Sequence, residues 1–348
     1  MSQITDPAPV HTFPRLGWVD DLLFPALRTA VEALPAAESR VASYHRGWCE
    51  ADGTETPASS AGRGKSVRPA LTLLSAVAVG GPPSIAVPGA VAVELVHDFT
   101  LIHDDVIDGD ALRRHRPAVW SLFGTPAAVL TGDALLVMAM RALAAAPPRR
   151  AGAAVQELVA ALHELMEGQS LDVAFEKRHE VSVAQYLAMA EGKTGALMGC
   201  ACALGGVLAG ADSARVRGLR EFGRRLGVAF QCADDVLGIW GRTSRSGKPV
   251  GADLAARKKS LPVVAALAGT GAASERLRDL YRSTSPLDEQ DVEVARRLVE
   301  EAGGRDTAEQ EARRQMTAAL RSLSFAQPTA DAYRQLHDIA QAMTRREI

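Results

Sequence analysis

Cysteine is scarce in this chain. There are four among 348 residues, Cys49, Cys200, Cys202 and Cys232, without the paired spacing of zinc ligands. A disulfide framework and a structural zinc site are therefore excluded, and Cys200-Ala-Cys202, set among Ala, Leu and Gly, reads as helix packing. Nothing resembles a secretory leader, so a reduced, cytoplasmic setting is expected. Excess charge of one sign is missing too: the formal net charge is −2, and nucleic acid is not an expected partner. Long apolar runs are interrupted. Leu71 to Val96 is broken by Gly80-Gly81-Pro82-Pro83 and Pro88-Gly89, Leu130 to Ala146 contains Asp133 and Arg141, and Gly195 to Ala211 is short. None supplies the ~20 uninterrupted apolar residues of a bilayer span, so no transmembrane segment is expected. Alternating β-branched residues, the mark of strands, are nearly absent.

What fills the chain is Ala, Leu, Arg and Glu, with 47% of residues hydrophobic. That composition predicts an all-α fold with a sizeable core. A poorly ordered tail is expected over 1–14, where three prolines fall, and one large helical domain over 15–348. Apolar periodicity and Pro/Gly breaks predict helices over 18–34, 37–50, 67–80, 87–108, 116–123, 126–146, 149–173, 182–210 and 212–240. Five more follow over 260–268, 273–282, 287–303, 306–323 and 328–345. Residues 51–63 and 241–251 read as loops.

Two acidic clusters interrupt hydrophobic sequence. The first, His103-Asp104-Asp105-Val106-Ile107-Asp108, follows the apolar stretch that ends in His97. On a helix, Asp108 lies about 40° round from Asp104, and His97 about 20°. Two carboxylates one turn apart in apolar surroundings repel each other unless a cation sits between them. Oxygen-only ligands suit Mg²⁺, which keeps several waters and takes its remaining ligands from substrate phosphates. The second cluster, Phe230-Gln231-Cys232-Ala233-Asp234-Asp235-Val236-Leu237-Gly238, puts Gln231 and Asp234 on one face.

Basic residues gather at the helix ends between these clusters. Lys65 and Arg68 fall where a loop becomes a helix, offering free N–H groups and positive charge to an anion. The glycine spacing around them is not that of a nucleotide P-loop. Arg113-Arg114-His115-Arg116 has a bland reading, cations at a helix carboxyl end, and a sharper one, a diphosphate clamp. Glu191-Gly192-Lys193-Thr194-Gly195, Gly247-Lys248 and Arg257-Lys258-Lys259 are further candidates. Taken singly, each is ordinary surface charge. Solvated charge has no reason to cluster in hydrophobic segments, and the joint pattern points to a metal–diphosphate site.

The ordered set Gly64-Lys65-x-x-Arg68-Pro69, Asp104-Asp105-x-x-Asp108, Arg113-Arg114-x-x-Pro117, Gly132-Asp133, Gly168-Gln169-x-x-Asp172, Lys193-Thr194, Phe230-Gln231-x-x-Asp234-Asp235 and Gly247-Lys248 resembles the trans-isoprenyl diphosphate synthases. Within them it is similar to the short-chain geranylgeranyl and farnesyl enzymes of the actinobacterial type. The match runs from about residue 60 to 265. The resemblance implies an all-α isoprenoid synthase fold around a deep central cavity, usually homodimeric, acting on isopentenyl diphosphate and allylic diphosphates. It implies three Mg²⁺ ions bound with the diphosphate. Asp104 and Asp108 would hold them from one wall with Asp105 in support, and Asp234 with Asp235 from the other. Arg113, Lys193 and Lys258 would grip the allylic diphosphate, Lys65, Arg68, His97 and Arg114 would bind that of isopentenyl diphosphate, and Lys248 would add to substrate binding. Thr194 and Gln231 would sit beside the reacting carbons. The expected reaction is head-to-tail prenyl transfer: negative charge is stabilised as the allylic C–O bond breaks. A dry cavity protects the cation, and the departing diphosphate takes the proton.

Three positions depart from the resembled pattern. Gly238 stands where a third aspartate is usual, Ser66 replaces an arginine, and Arg257 replaces a glycine. Product length in such enzymes depends on bulk just before the first acidic motif. Phe99, five positions before Asp104, resembles the blocking residue of geranylgeranyl-type enzymes, although helix geometry turns Thr100 more directly toward the Asp104 face. Geranylgeranyl diphosphate is the expected product, with farnesyl diphosphate and longer polyprenyl diphosphates as alternatives. A class I terpene cyclase would want Ser/Thr and Glu where Gly238 and Arg242 stand, and a non-catalytic partner subunit would lack the first acidic cluster.

Overall fold

Residues 16–56, 66–241, 251–282 and 286–344 are described by the structure, a computed structural model. The tail expected over 1–14, Lys65 and Lys248 lie outside the described residues. Helices carry the described chain: α1 (Gly17–Glu32), α2 (Ala36–His45), α3 (Val67–Ala78), α4 (Val87–Asp108), α5 (Val119–Phe123), α6 (Thr125–Ala144), α7 (Pro148–Glu176) and α8 (Val183–Ala190). There follow α9 (Ala196–Ala209), α10 (Ser213–Trp240), α11 (Ala252–Ala255), α12 (Leu261–Ala268), α13 (Ala272–Arg282), α14 (Glu289–Glu301), α15 (Gly304–Phe325) and α16 (Ala330–Thr344).

Local chemistry sets the ends of the two helices that matter most. α4 starts with Pro88 in its first turn, where a missing N–H costs nothing. It stops at Gly109, whose φ of 69° is open to glycine at little cost. α10 begins under Asp212, whose carboxylate accepts the N–H groups of Ala214 and Arg215. α4 packs along α6, and α10 lies against α9 and α15. The main core includes Leu27, Leu71, Leu95, Ile102, Leu204 and Phe222, each fully buried; each such leucine contributes roughly 1.5–3 kcal/mol. Smaller clusters sit around Tyr186 with Val236, and around Ile239 with Leu254. All four cysteines are buried free thiols.

Three expectations give way to local geometry. The helix over 37–50 ends at His45, because Gly47 turns left-handed with φ 72°. The start of the 116–123 helix is instead the second strand of a short hairpin, β1 (Leu112–Arg113) paired antiparallel with β2 (Arg116–Pro117). The 182–210 segment stays helical, but Glu191–Gly195 forms a wide π turn in which the Ala196 N–H donates to the Glu191 carbonyl, five residues back.

Three helices are also long and apolar enough to span a bilayer by length and composition, Pro83–Asp108, Thr125–Ala144 and Val183–Ala209, where none was expected. Pro88-Gly89 lies inside the first run and does not break it, and α6 carries Asp133 and Arg141 without interruption. The first and third are 67% and 72% buried within the protein, whereas α6 is only 39% buried.

Candidate active site

The first acidic cluster occupies the last turns of α4, and its carboxylates face different ways. Asp104 is half-buried and Asp108 exposed, while Asp105 is 1% exposed. Arg113 clamps Asp105: its Nε donates to Oδ1 and Oδ2 at 2.9 and 2.7 Å, and its Nη2 to Oδ1 at 2.7 Å. Burial pushes Asp104 up to about 6, against the pull of Lys193 and with a push from Asp108. Burial also raises Asp108, against Lys193 and Lys258. Carboxylates so placed gain most from an arriving cation.

Arg113 reaches Asp105 from the hairpin, whose two turn residues, Arg114 and His115, both have positive φ, 53° and 64°. Such doubly left-handed turns favour Asn and Gly. The arginines fan out from it. Arg116 donates to the Cys49 carbonyl at 3.0 Å and to Glu50 at 3.2 Å, with its guanidinium 4.3 Å from the Tyr44 ring centroid. Arg114 is exposed and acts on His97.

His97 is held well below its ordinary pKa, by burial first, then by the charge of Arg68, with Arg114 and His45 adding to it. Arg68 lies in the first turn of α3 and is itself penalised by burial. Its Nε is buried with no hydrogen-bond partner among the described residues. A buried guanidinium N–H left unmatched beside a neutral imidazole is a seat for an anion. Behind it, Arg46 at the end of α2 bonds Asp98, and Glu94 at 3.1 Å, pinning α2 to α4. Arg113, Arg114 and Arg116 also line a recess of about 260 Å³ with His45 and Arg46.

The opposite wall is built by the π turn, α7 and α10. A β-carbon on Gly168 of α7 would fall 2.7 Å from the Gly192 carbonyl carbon and 2.9 Å from Lys193 Cα. Only glycine allows the two backbones that close. Lys193 Nζ then meets Asp172 Oδ2 at 2.5 Å. Thr194 Oγ1 donates to Gln231 Oε1 at 2.9 Å, and Gln231 Nε2 donates to Asp235 Oδ1 at 3.0 Å. Asp235 Oδ2 accepts from the Tyr186 hydroxyl and from the Leu261 N–H, the latter at 2.7 Å. Burial lifts Asp235 to about 6, against Lys258 and the Tyr186 bond. Asp234 beside it is exposed. In each Asp-Asp pair, therefore, one carboxylate is fully buried on protein donors and its neighbour is more accessible, half-buried at Asp104 and exposed at Asp234. Asp105 and Asp235, expected among the metal ligands, each accept hydrogen bonds from protein donors on both carboxylate oxygens.

Lys258 joins the two walls. Withdrawal from water works against its charge, yet Asp253, Asp172, Asp235 and Asp108 together hold its ammonium above the ordinary lysine value. Asp108 is on α4, Asp172 on α7 and Asp235 on α10, so one cation feels carboxylates from both acidic clusters. Asp172 and Tyr186 join the site without a role assigned by the sequence pattern. The Gly168-Gln169-x-x-Asp172 spacing marked the first, and nothing local marked the second. Arg257, at the position of a usual glycine, has φ 50°, a left-handed conformation that costs a side-chain-bearing residue roughly 1–2 kcal/mol. Phe99 is 7% exposed and meets His103 edge-on at 4.8 Å. The Thr100 hydroxyl donates to the His97 carbonyl at 2.8 Å.

The polyprenyl synthetase profile matches residues 56–299. The chain belongs to the polyprenyl synthetase family. A geranylgeranyl diphosphate synthase of Mycobacterium tuberculosis is 44% identical to this synthetase over 324 residues, covering 93% of this chain and 91% of its own. A (2E,6E)-farnesyl diphosphate synthase of Mycobacterium bovis is 44% identical over 314 residues, covering 89% and 86%. The solved polyprenyl synthetase from Streptomyces coelicolor A3(2) superposes with a TM-score of 0.89 at 44% identity, covering 94% of this chain and 98% of that one. A polyprenyl synthase from Caulobacter crescentus CB15, solved with calcium and isoprenyl diphosphate, gives 0.74 at 31% identity, covering 96% and 100%. This synthetase is thus a trans-prenyltransferase with the all-α isoprenoid synthase fold. Its family uses a divalent metal, and the donor set here fits one. The carboxylates of Asp104, Asp108 and Asp234 offer only oxygen, and each is at least partly accessible. That is the arrangement of an ion that completes its shell with phosphate and water.

Proposed function

We propose that this synthetase condenses isopentenyl diphosphate head-to-tail with allylic diphosphates in a Mg²⁺-dependent reaction, ending at geranylgeranyl diphosphate. The observation that carries this reading is the Thr194–Gln231–Asp235 hydrogen-bond chain on the wall that also carries Lys193, with Lys258 held charged by carboxylates of α4, α7 and α10. Asp104, Asp108 and Asp234 would hold the metal, three ions in all, and when bound it supplies Lewis-acid stabilisation of the departing diphosphate. Asp105 and Asp235 act behind them, orienting Arg113 and Gln231. Lys193, Lys258 and Arg113, with Lys248, grip the allylic diphosphate and neutralise charge as it leaves. Arg68, His97 and Arg114, with Lys65, seat the diphosphate of isopentenyl diphosphate. Thr194 and Gln231 present their oxygen dipoles to the reacting carbons, their orientation fixed by the hydrogen-bond chain that ends on Asp235. Arg68, His97 and Arg114 hold the second substrate until its double bond attacks, and its proton leaves on the released diphosphate.

Phe99, with Thr100 one position on, sets the product limit in this reading. Farnesyl diphosphate is the second reading, favoured by the equal identity to the Mycobacterium bovis farnesyl enzyme. A homodimer in the cytoplasm completes the proposal. Incubation with Mg²⁺, isopentenyl diphosphate and dimethylallyl, geranyl or farnesyl diphosphate should give geranylgeranyl diphosphate from all three primers, and nothing without a divalent ion. Failure to elongate any primer would sink the assignment, and termination at farnesyl diphosphate would select the second reading.

A further inference from the structure

Two guanidiniums and two carboxylates share the buried space beside His97. Arg46 caps the end of α2, Arg68 lies in the first turn of α3, and Glu94 and Asp98 stand one turn apart on α4. The pairing among them is unequal. Arg46 takes both carboxylates, donating from Nη1 to Asp98 Oδ2 and from Nη2 to Glu94 Oε1 at 3.1 Å. Arg68 forms an ion pair with neither, and its buried Nε has no partner among the described residues. Yet Glu94 and Arg68 are close enough for the charge of each to act on the other. A buried carboxylate left alone is unstable and turns to whatever cation it can reach. Glu94 stays off Arg68 because Arg46 already holds it. Arg46 is itself braced: Gly47 turns the chain just after it, and its guanidinium lies 5.1 Å from the Trp48 ring centroid.

We propose that Arg46 is a positioning residue for the second substrate: by claiming Glu94 and Asp98 from α2, it leaves Arg68 and His97 unengaged for the diphosphate of isopentenyl diphosphate. The inference rests on the prenyl-transfer reading above. Arg46 acts indirectly, by withdrawing two anionic competitors from a seat meant for an anion. Its loss therefore weakens the hold on one substrate and leaves the chemical step alone.

The test is steady-state kinetics of the full chain with Mg²⁺, isopentenyl diphosphate and geranyl diphosphate, each substrate varied in turn, with thermal unfolding recorded for every variant. Arg46→Met should raise the KM for isopentenyl diphosphate about tenfold or more, the scale of one lost charge-assisted hydrogen bond. The KM for geranyl diphosphate and kcat should stay within about threefold, since a raised KM at constant kcat marks lost binding. Adding Glu94→Gln and Asp98→Asn to Arg46→Met should return the KM to within about threefold of the parent: the competitors are gone, although the α2–α4 link is still broken. Glu94→Gln alone keeps Arg46 and its bond to Asp98, and should leave the KM within the same margin. A triple variant that keeps the raised KM overturns the proposal, since the link itself would then be what matters. So does Arg46→Met if it raises both KM values equally or neither. A rise of about tenfold in Glu94→Gln alone also overturns it, because Glu94 would then be steadying Arg68 directly. If Arg46→Met does not fold, the triple variant and Glu94→Gln, which leave no buried carboxylate beside an empty place, decide by the same criteria. A parent protein that consumes no isopentenyl diphosphate would instead remove the reading beneath the proposal.

Discussion

At Asp104 and His97, sequence and surroundings act in opposite senses. Asp104 is raised by burial and awaits a cation. Asp104→Ala should therefore lower turnover by about 10³-fold or more, the scale of losing a main electrostatic contact, with an unchanged circular dichroism spectrum. Parent-like rates would overturn its role. His97 is depressed by burial and by Arg68. Folding therefore favours its neutral form, so its contribution to stability is present above the ordinary histidine value of about 6.5 and is lost as pH falls through the lowered value. In urea titrations the loss of unfolding free energy between about pH 7.5 and 5.5 should shrink in His97→Gln. An identical loss would mean that other groups carry the acid sensitivity. Charge type and helical phase made these residues legible in the sequence. What was not legible is the split inside each Asp-Asp pair, because the donors that claim Asp235 include Tyr186, 49 residues away in the chain.

Among elements, α4 and α10 were readable because their apolar period runs unbroken between clear stops. The hairpin was not, since Arg114 and His115 are poor advertisements for a left-handed turn. The π turn was not either: its extra residue leaves the apolar pattern of 182–210 intact while rotating Lys193 and Thr194 toward α7 and α10. Gly168 makes that approach possible. Gly168→Ala should cost about 10²-fold in kcat, the usual price of a displacement near 1 Å, while the protein still folds; steady-state kinetics checks this, and parent-like kcat would show slack between the two backbones. Phe99 sits on the buried side of α4. Phe99→Ala should lengthen the main product in the prenyl-transfer assay and lower stability by about 3 kcal/mol. An unchanged product distribution would place the floor elsewhere.

For the whole molecule, α6 leaves several large apolar side chains exposed. Val129, Leu130 and Val137 are 39%, 57% and 66% exposed, and Val159 and Met166 of α7 are 50% and 48% exposed. These exposed apolar side chains are where the second copy of the chain proposed above would sit. Val137→Glu should shift light-scattering mass from dimer to monomer; a parent protein that is monomeric at micromolar concentration would refute the assembly. The all-α class followed from composition, whereas the exposure on α6 did not, because its apolar residues are spread around the helix and periodicity cannot say which neighbour covers them. The salt links Lys193–Asp172 and Arg113–Asp105 have a last consequence. With those partners satisfied at home, a lone polyanion would meet aspartates, and lone divalent ions would meet lysines. Entering together they cancel, so each ligand must raise the other's affinity by an equal factor, and neither titration alone can report the enzyme's true appetite for its substrate.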